Sequence, residues 1–176
     1  MRVLVYGFGP YGQFRDNITA KIVKQLPKSD DLKKIVFPVR FNRKQFVQAL
    51  KRNRPDAVLG LGQSSRQRIE VESSAANRKR AQASHRPKRI STNGPTHRRT
   101  TLKIKTGRQA RKSTNAGDYV CNYSMYVMLD HIAREHLKIL FAFVHIPHDY
   151  DRRKASRFVQ RVLRQCRPGA KRSIAS

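Results

Sequence analysis

Acidic residues are scarce in this sequence. Its 176 residues include 39 Lys or Arg but only 11 Asp or Glu, which gives a formal net charge of +28. A chain this basic attracts polyanions and acidic partners. The charge alone does not distinguish nucleic acid, an anionic membrane surface and an acidic protein as the partner.

Cysteine is also rare. Two cysteines, Cys121 and Cys166, cannot form a disulfide framework. The six histidines show no HExxH spacing and the cysteines no CxxC spacing, so the usual zinc signatures are missing. The sequence therefore predicts neither a metal site nor a cofactor.

Long hydrophobic runs are missing as well. No segment approaches the roughly 20 apolar residues of a membrane span, and residues 1–10 lack the regions of a signal peptide. These absences predict a cytoplasmic protein without a membrane span.

Tryptophan is absent, but eight Phe and six Tyr residues supply large side chains for a core. The length fits one domain.

Short apolar runs alternate with segments of helical periodicity, which indicates an α/β domain with a largely parallel sheet. Strands are predicted near residues 2–6, 34–39, 56–61, 68–72 and 138–145. A helix is predicted from Tyr119 to about His136, and a last helix carries Cys166 on its apolar face, where the thiol is structural. We expect a single domain over residues 1–168 and a frayed tail over 169–176.

Residues 78–112 differ in composition from the rest of the chain. They hold 13 Lys or Arg and no acidic residue. The segment is predicted to be an irregular surface excursion outside the core, with one short strand at 101–104. It is either a solvated loop or a contact surface for nucleic acid or another polyanion, and it lacks interleaved aromatic residues for base stacking.

Three residues near predicted strand or helix ends could form a nucleophilic site. Cys121 lies in the opening turn of a predicted helix, where free backbone N–H groups and the helix dipole stabilise a thiolate. His145 ends one predicted strand and Glu72 ends another. A thiol, an imidazole and a carboxylate are the parts of a Cys-His-acid arrangement.

Each of these residues also has a simpler interpretation. Cysteine is often a small buried hydrophobe, and His145 could be a hydrogen-bonded histidine at a strand end. Glu72 and Glu70 fall on the same side of an alternating strand and could both be solvated. The spacing of the three residues alone leaves these alternatives open.

Four blocks, in order, resemble one enzyme family. Residues 7–12 (GFGPYG) resemble the Gly-Phe-x-Pro-Phe-Gly opening of the pyroglutamyl peptidase I, or pyrrolidone-carboxylate peptidase, family. Residues 60–77 are similar to its Glu block, residues 115–126 to its Cys block, and residues 143–147 (FVHIP) to its His block. The resemblance extends over about the first 150 residues and implies a mixed, mostly parallel sheet between helices.

The resemblance also implies a role for particular residues. Cys121 would be the nucleophile, His145 the general acid and base, and Glu72 the residue that orients His145. Four residues would bind the substrate. Phe8 and Tyr11 would enclose the pyrrolidone ring of an N-terminal pyroglutamate, and Asn17 and the backbone of Gln63 would hydrogen-bond its lactam. A neutral lactam suits a pocket with apolar faces and a few placed polar groups.

The sequence departs from the family pattern in four places. Gln82 stands where an arginine is expected to polarise the scissile carbonyl, Tyr11 replaces a phenylalanine, Gln13 replaces a glycine, and most of a helix and a strand are missing before the Cys block. The predicted function is a cysteine exopeptidase that removes N-terminal pyroglutamate from peptides. The alternative is a weakly active or inactive protein of this fold that binds nucleic acid or acidic partners. The sequence leaves open whether the chain forms a homo-oligomer.

Overall fold

The computed structural model describes residues 1–166, so the predicted tail at 169–176 lies outside the described residues. The strands are β1 Val3–Phe8, β2 Leu32–Phe37, β3 Ala57–Ser64, β4 Ile69–Glu72, β5 Ser74–Ala76, β6 His97–Arg99, β7 Ala110–Ser113 and β8 Leu140–Pro147. The helices are α1 Ile18–Gln25, α2 Arg43–Asn53, α3 Val120–Arg134 and α4 Arg152–Gln165.

The main sheet has six strands in the order β2-β1-β3-β8-β4-β7. Neighbouring strands are parallel except β4 and β8, which pair antiparallel with Glu72 opposite Phe143. β5 and β6 form a separate antiparallel pair. The sheet is therefore mixed and mostly parallel, as the sequence and the family resemblance predicted.

Helices cover both faces of the sheet. Along β1, Val3 and Val5 face a core formed with α1 and α4, whereas Leu4, Tyr6 and Phe8 face a core formed with α2 and α3. This alternation of side chains between two buried faces is expected for a central strand of an α/β sheet. The carboxyl ends of β1, β3 and β8 consequently meet at one edge, which helices do not cover.

The basic segment is more ordered than its composition indicates. The structure contradicts the prediction of a strand at residues 101–104. Thr101 and Leu102 instead donate backbone hydrogen bonds to the carbonyl of Phe141, at a point on β8 that precedes its pairing with β4. The prediction that the segment lies outside the core is also wrong, because Ile104 is buried in the core beside α4.

An ion cluster ties the basic segment to the helices. The carboxylate of Asp130 on α3 is fully buried and lies 2.8 Å from Arg98 of β6, 2.9 Å from Arg134 of α3 and 3.5 Å from Arg43 of α2. Burial raises the pKa of Asp130, but the hydrogen bonds and charges of Arg98 and Arg134 outweigh this and lower it overall. Asp130 is therefore ionised and joins three elements.

No helix within residues 1–166 has the length and apolar character needed to cross a membrane. The same residues contain no group of three or more side chains placed to hold a metal ion. The cytoplasmic location stays a prediction.

Candidate active site

A cavity of about 460 Å³ opens at the edge of the sheet where β1, β3 and β8 end. Its lining includes six of the seven residues predicted to form the site: Phe8, Tyr11, Asn17, Gln63, Cys121 and His145. The seventh, Glu72, is fully buried behind His145. The structure therefore brings all the predicted site residues to one place.

His145 connects the other two residues of the predicted triad. Its Nδ1 lies 2.7 Å from Oε1 of Glu72. The antiparallel register of β4 and β8 pairs His145 with Glu70 and leaves Glu72 diagonally adjacent to His145 on the same face of the sheet. The thiol of Cys121 adjoins the same imidazole, since Sγ of Cys121 and Cδ2 of His145 both lie next to the position that a Cβ atom at residue 62 would occupy. Since Nδ1 is occupied by Glu72, Nε2 is the nitrogen available to the thiol.

The surroundings of His145 favour its charged form. Burial alone would lower the pKa of His145, but the hydrogen bonds and charges of Cys121 and Glu72 raise it to about 9. Burial would likewise raise the pKa of Glu72, but its interactions with His145, Ser113 and Arg66 lower it overall. The site therefore holds an imidazolium beside a carboxylate at neutral pH.

Arginines that were not predicted as site residues neutralise the buried acids. Arg66 lies 3.2 Å from Oε1 of Glu72 and also contacts Glu70, and Arg111 of β7 lies 2.6 Å from Glu70. Both glutamates are buried, so the alternative that they are solvated is wrong. Neither contact had a local signal in the sequence, because residues 66–70 are not helical and the four-residue spacing of Arg66 and Glu70 therefore predicts no contact, and Arg111 is distant from Glu70 in the chain.

Cys121 is the second residue of α3, and no side chain caps the start of this helix. The N-caps of the other three helices, in contrast, accept hydrogen bonds through their side chains. The first N–H groups of α3, which have no intrahelical partners, therefore also lack a side-chain cap, and this favours negative charge at the thiol or on a bound oxygen. Gly117, with φ of +80°, allows the turn that leads into the helix.

The side chain of Asn122 anchors the first turn of α3. Its Nδ2 donates to the carbonyls of Ala76 and Arg78, and its Oδ1 accepts from the N–H of Ala76. Sequence reasoning did not assign this residue a role. Asn122 fixes the position of the neighbouring Cys121 against β5.

Gly62 leaves room for the thiol and the imidazole to meet. A Cβ atom at this position of β3 would lie 2.7 Å from Sγ of Cys121 and 2.8 Å from Cδ2 of His145. Both distances are shorter than a van der Waals contact. A glycine is therefore required where β3 passes beneath the pair.

Two aromatic side chains contribute to the cavity wall. Phe8 is buried and packs edge-on against Tyr6 and Phe46, so its ring is held firmly. Tyr11 is half-buried, and its ring centroid lies 5.3 Å from that of Phe14 and 6.2 Å from that of Tyr119. The cavity thus has aromatic faces and a hydroxyl.

The polar groups predicted to bind the lactam are partly engaged by the protein itself. Oδ1 of Asn17 caps α1 through Thr19, and its Nδ2 donates to the carbonyl of Gly9 at 3.1 Å. This uses one of the two amide N–H groups. Oε1 of Gln63 accepts from the N–H of Ile18 at 2.9 Å, whereas its Nε2 makes no well-formed hydrogen bond within residues 1–166, although Tyr11 lies nearby.

Gln82, at the position where the family resemblance places an arginine, is exposed and does not line the cavity. Arg80, two residues earlier, lies 2.8 Å from the carboxylate of Asp118, which does line it. No helix occurs between residues 77 and 119 of the described chain, which agrees with the shortened segment seen in the sequence.

The sequence model of the Pyroglutamyl peptidase family matches residues 1–152. This chain belongs to the pyroglutamyl peptidase family. The pyrrolidone-carboxylate peptidase 1 of Caldanaerobacter subterraneus is 31% identical over 168 residues, which cover 84% of this chain and 83% of the relative. The pyrrolidone-carboxylate peptidase of Bacillus subtilis is 32% identical over 84% of this chain and 78% of its own length.

Solved structures of pyroglutamyl peptidase relatives share the fold. A mutant of the pyrrolidone carboxyl peptidase of Pyrococcus furiosus superposes with a TM-score of 0.85 at 26% identity. The match covers 94% of this chain and 98% of the other. The segment missing before Cys121 has therefore not altered the pyroglutamyl peptidase architecture.

Proposed function

We propose that this protein is a cysteine exopeptidase that removes pyroglutamate from the N-termini of peptides. Cys121 acts as the nucleophile, His145 as the general acid and base, and Glu72 as the residue that orients His145. The observation that carries the proposal is the buried imidazole of His145, hydrogen-bonded to the carboxylate of Glu72 and adjacent to the thiol of Cys121. Membership of the pyroglutamyl peptidase family supports the same reaction.

The reaction proceeds through a thioester. The thiolate of Cys121 attacks the carbonyl carbon of the pyroglutamyl group, and the backbone N–H of Cys121 in the uncapped first turn of α3 stabilises the oxyanion. The C–N bond breaks as His145 gives its proton to the departing amine. His145 then takes a proton from water, which attacks the thioester, releases pyroglutamate and regenerates the thiolate.

The pyrrolidone ring binds between the aromatic side chains of Phe8 and Tyr11. The remaining N–H of Asn17 and the backbone of Gln63 bind the lactam. Such a pocket favours a neutral five-membered lactam over the charged N-terminus of an ordinary peptide. Within residues 1–166, no free carboxylate lies where it could pair with an ammonium group held between Phe8 and Tyr11. Asp118, the acidic residue of the lining, is paired with Arg80.

Hydrolysis of pyroglutamyl-aminocoumarin tests this function. We expect turnover of this substrate and none of leucyl-aminocoumarin, because the latter carries a charged amine and no lactam. Cys121→Ala should abolish turnover, whereas Cys166→Ala should retain it because Cys166 is buried in the core away from the cavity. Turnover by Cys121→Ala would rule out the mechanism, and absence of turnover by the unmodified protein would rule out the function.

We also propose a second, non-catalytic property, the weak binding of polyanions by residues 78–112. Ten of the 13 cations in this segment are exposed, the exceptions being Lys79, Arg80 and Arg98. A cavity of about 560 Å³ lies here and has no acidic residue in its lining within the described chain. This property is compatible with peptidase activity, because Cys121 and His145 lie outside the segment.

A further inference from the structure

A second cavity adjoins the candidate active site on the side of α1 and α4. Its volume is about 760 Å³. Gln13, Phe14 and Gln63 line both this cavity and the active-site cavity. The two spaces are therefore neighbours along one continuous surface.

Positive charge dominates the lining of this second cavity. Arg15, Lys21 and Arg152 line it together with His148, and Asp16 is the acidic residue among them. Lys21 is paired with Asp16 at 2.8 Å. Arg15 and Arg152 are exposed and form no ion pair within residues 1–166. Two cations are thus available to a ligand, and we name this space the basic cavity.

The position of the basic cavity relates it to the leaving group of the proposed reaction. His145 delivers its proton to the departing amine, so the peptide beyond the scissile bond begins beside this residue. His148 follows closely after His145 at the end of β8 and lines the basic cavity, where its ring centroid lies 5.4 Å from that of Phe14. A peptide that leaves the thiol past His145 on the side of His148 would enter the basic cavity.

Gln63 provides a polar contact at the junction of the two cavities. Its side chain is 8% exposed, and its Nε2 has no well-formed hydrogen bond within the described chain, although the hydroxyl of Tyr11 lies nearby. A buried donor of this kind is unfavourable unless a ligand satisfies it. The carbonyl of a peptide bond that runs from one cavity into the other would accept this hydrogen bond.

We propose that the basic cavity binds the residues that follow pyroglutamate and that it selects peptides with acidic side chains there. The proposal rests on the proposed function, since it takes the direction of the leaving peptide from the roles of Cys121 and His145. Arg15 and Arg152 attract carboxylates and repel Lys or Arg side chains at these positions. The net charge of +28 adds long-range attraction for acidic peptides.

The test compares three peptides of equal length that carry pyroglutamate followed by two Asp, two Asn or two Lys residues. We expect kcat/KM to be about tenfold or more higher for the Asp peptide than for the Lys peptide, with the Asn peptide between them. The double variant Arg15→Gln/Arg152→Gln should lose most of this preference while it cleaves the Asn peptide normally. Added salt should also reduce the preference, because these charges are exposed.

A matched control separates the basic cavity from the overall charge. Lys51→Gln/Arg52→Gln removes the same number of positive charges from the last turn of α2. This turn lies at the opposite edge of the sheet from the active-site cavity, because α2 leads into the start of β3. This control should keep the preference. Equal kcat/KM for the three peptides, or equal loss of preference in both double variants, would overturn the proposal.

Binding of the same peptides to Cys121→Ala distinguishes this proposal from the proposed function. One outcome is that the unmodified protein cleaves none of the peptides, whereas Cys121→Ala binds the Asp peptide more tightly than the Lys peptide through Arg15 and Arg152. In that case the preference of the basic cavity for acidic peptides stands and the peptidase function fails. Cleavage of all three peptides at the same rate leaves the peptidase function intact and refutes acidic selection.

Discussion

His145 is the residue whose protonation controls the proposed chemistry. Its pKa of about 9 results from Cys121 and Glu72, which together outweigh the effect of burial. The imidazolium is therefore present at neutral pH, and we expect kcat/KM to fall as the pH rises through about 9. The same raised pKa has a consequence for stability. Because it lies above the usual value of 6.5, the interactions of protonated His145 with Cys121 and Glu72 stabilise the folded state fully below pH 6.5. This stabilisation is lost as the pH rises through about 9.

Replacement of Glu72 tests how the pKa of His145 is raised. Glu72→Gln keeps the shape of the side chain but removes its charge, so the alkaline fall of the pH profile should move to lower pH. The residual activity should exceed that of His145→Ala, because Glu72 orients the imidazole and does not itself transfer a proton. A pH profile with an unchanged alkaline limb in a folded Glu72→Gln variant would show that Glu72 does not control His145.

The substitution Gly62→Ala tests the steric requirement for the thiol and the imidazole to lie close together. Gly62→Ala would push Cβ against Sγ of Cys121 and the ring of His145, so we expect kcat to fall by about 100-fold or more from the displaced geometry. Gly9→Ala is a matched control, since a Cβ there would meet the carbonyl of Phe37 at an ordinary 3.7 Å. Near-normal kcat in Gly62→Ala would contradict the close approach of thiol and imidazole.

At the scale of the elements, α2, α3 and β6 depend on the carboxylate of Asp130. Asp130→Asn would remove the buried counter-charge of Arg98 and Arg134, whose own side chains are partly exposed, and we expect a loss of about 2–3 kcal/mol in the free energy of unfolding. Asp16→Asn, which removes an exposed pair with Lys21, should cost less than about 1 kcal/mol. Urea unfolding at neutral pH measures both variants, and equal small losses would refute the role of Asp130.

The contribution of Asp130 to the free energy of unfolding depends on pH because its pKa is lowered in the folded state. A group whose pKa is lowered in the folded state stabilises it above the unfolded pKa and loses this effect as the pH falls through the folded value. The stability gap between the unmodified protein and Asp130→Asn should therefore narrow in acid. A gap that stays constant down to strongly acidic pH would mean that the charge of Asp130 is not responsible.

The sequence predicted the elements with strong local signals and missed those that depend on distant partners. Five strands are apolar runs bounded by turn residues, and each of them forms. The antiparallel register of β4 and β8, which brings Glu72 diagonally next to His145, has no local signal. The burial of Glu70 likewise depends on Arg111, 41 residues away in the chain, and alternation alone could not reveal it.

At the scale of the whole molecule, the positive charge is not required by the proposed peptidase chemistry. The exposed cations of residues 78–112 should retain the protein on heparin with a steep dependence on salt, since each anionic contact releases counterions. Replacing these exposed cations by Gln, except Arg111, which pairs with the buried Glu70, should move elution to lower salt, whereas replacing an equal number of exposed cations in α1, α2 and α4 should have a smaller effect. Equal shifts for the two sets would show that binding follows total charge.

Acylation of Cys121 tests the central proposal, a peptidase that works through a pyroglutamyl thioester, most directly. The protein is mixed with a pyroglutamyl ester, quenched in acid within the first turnover and digested, and the peptides are analysed by mass spectrometry. We predict a pyroglutamyl group on the peptide that contains Cys121 and none on the peptide that contains Cys166. Hydrolysis of the ester with no adduct on Cys121, and with the same rate in Cys121→Ala, would contradict the proposal.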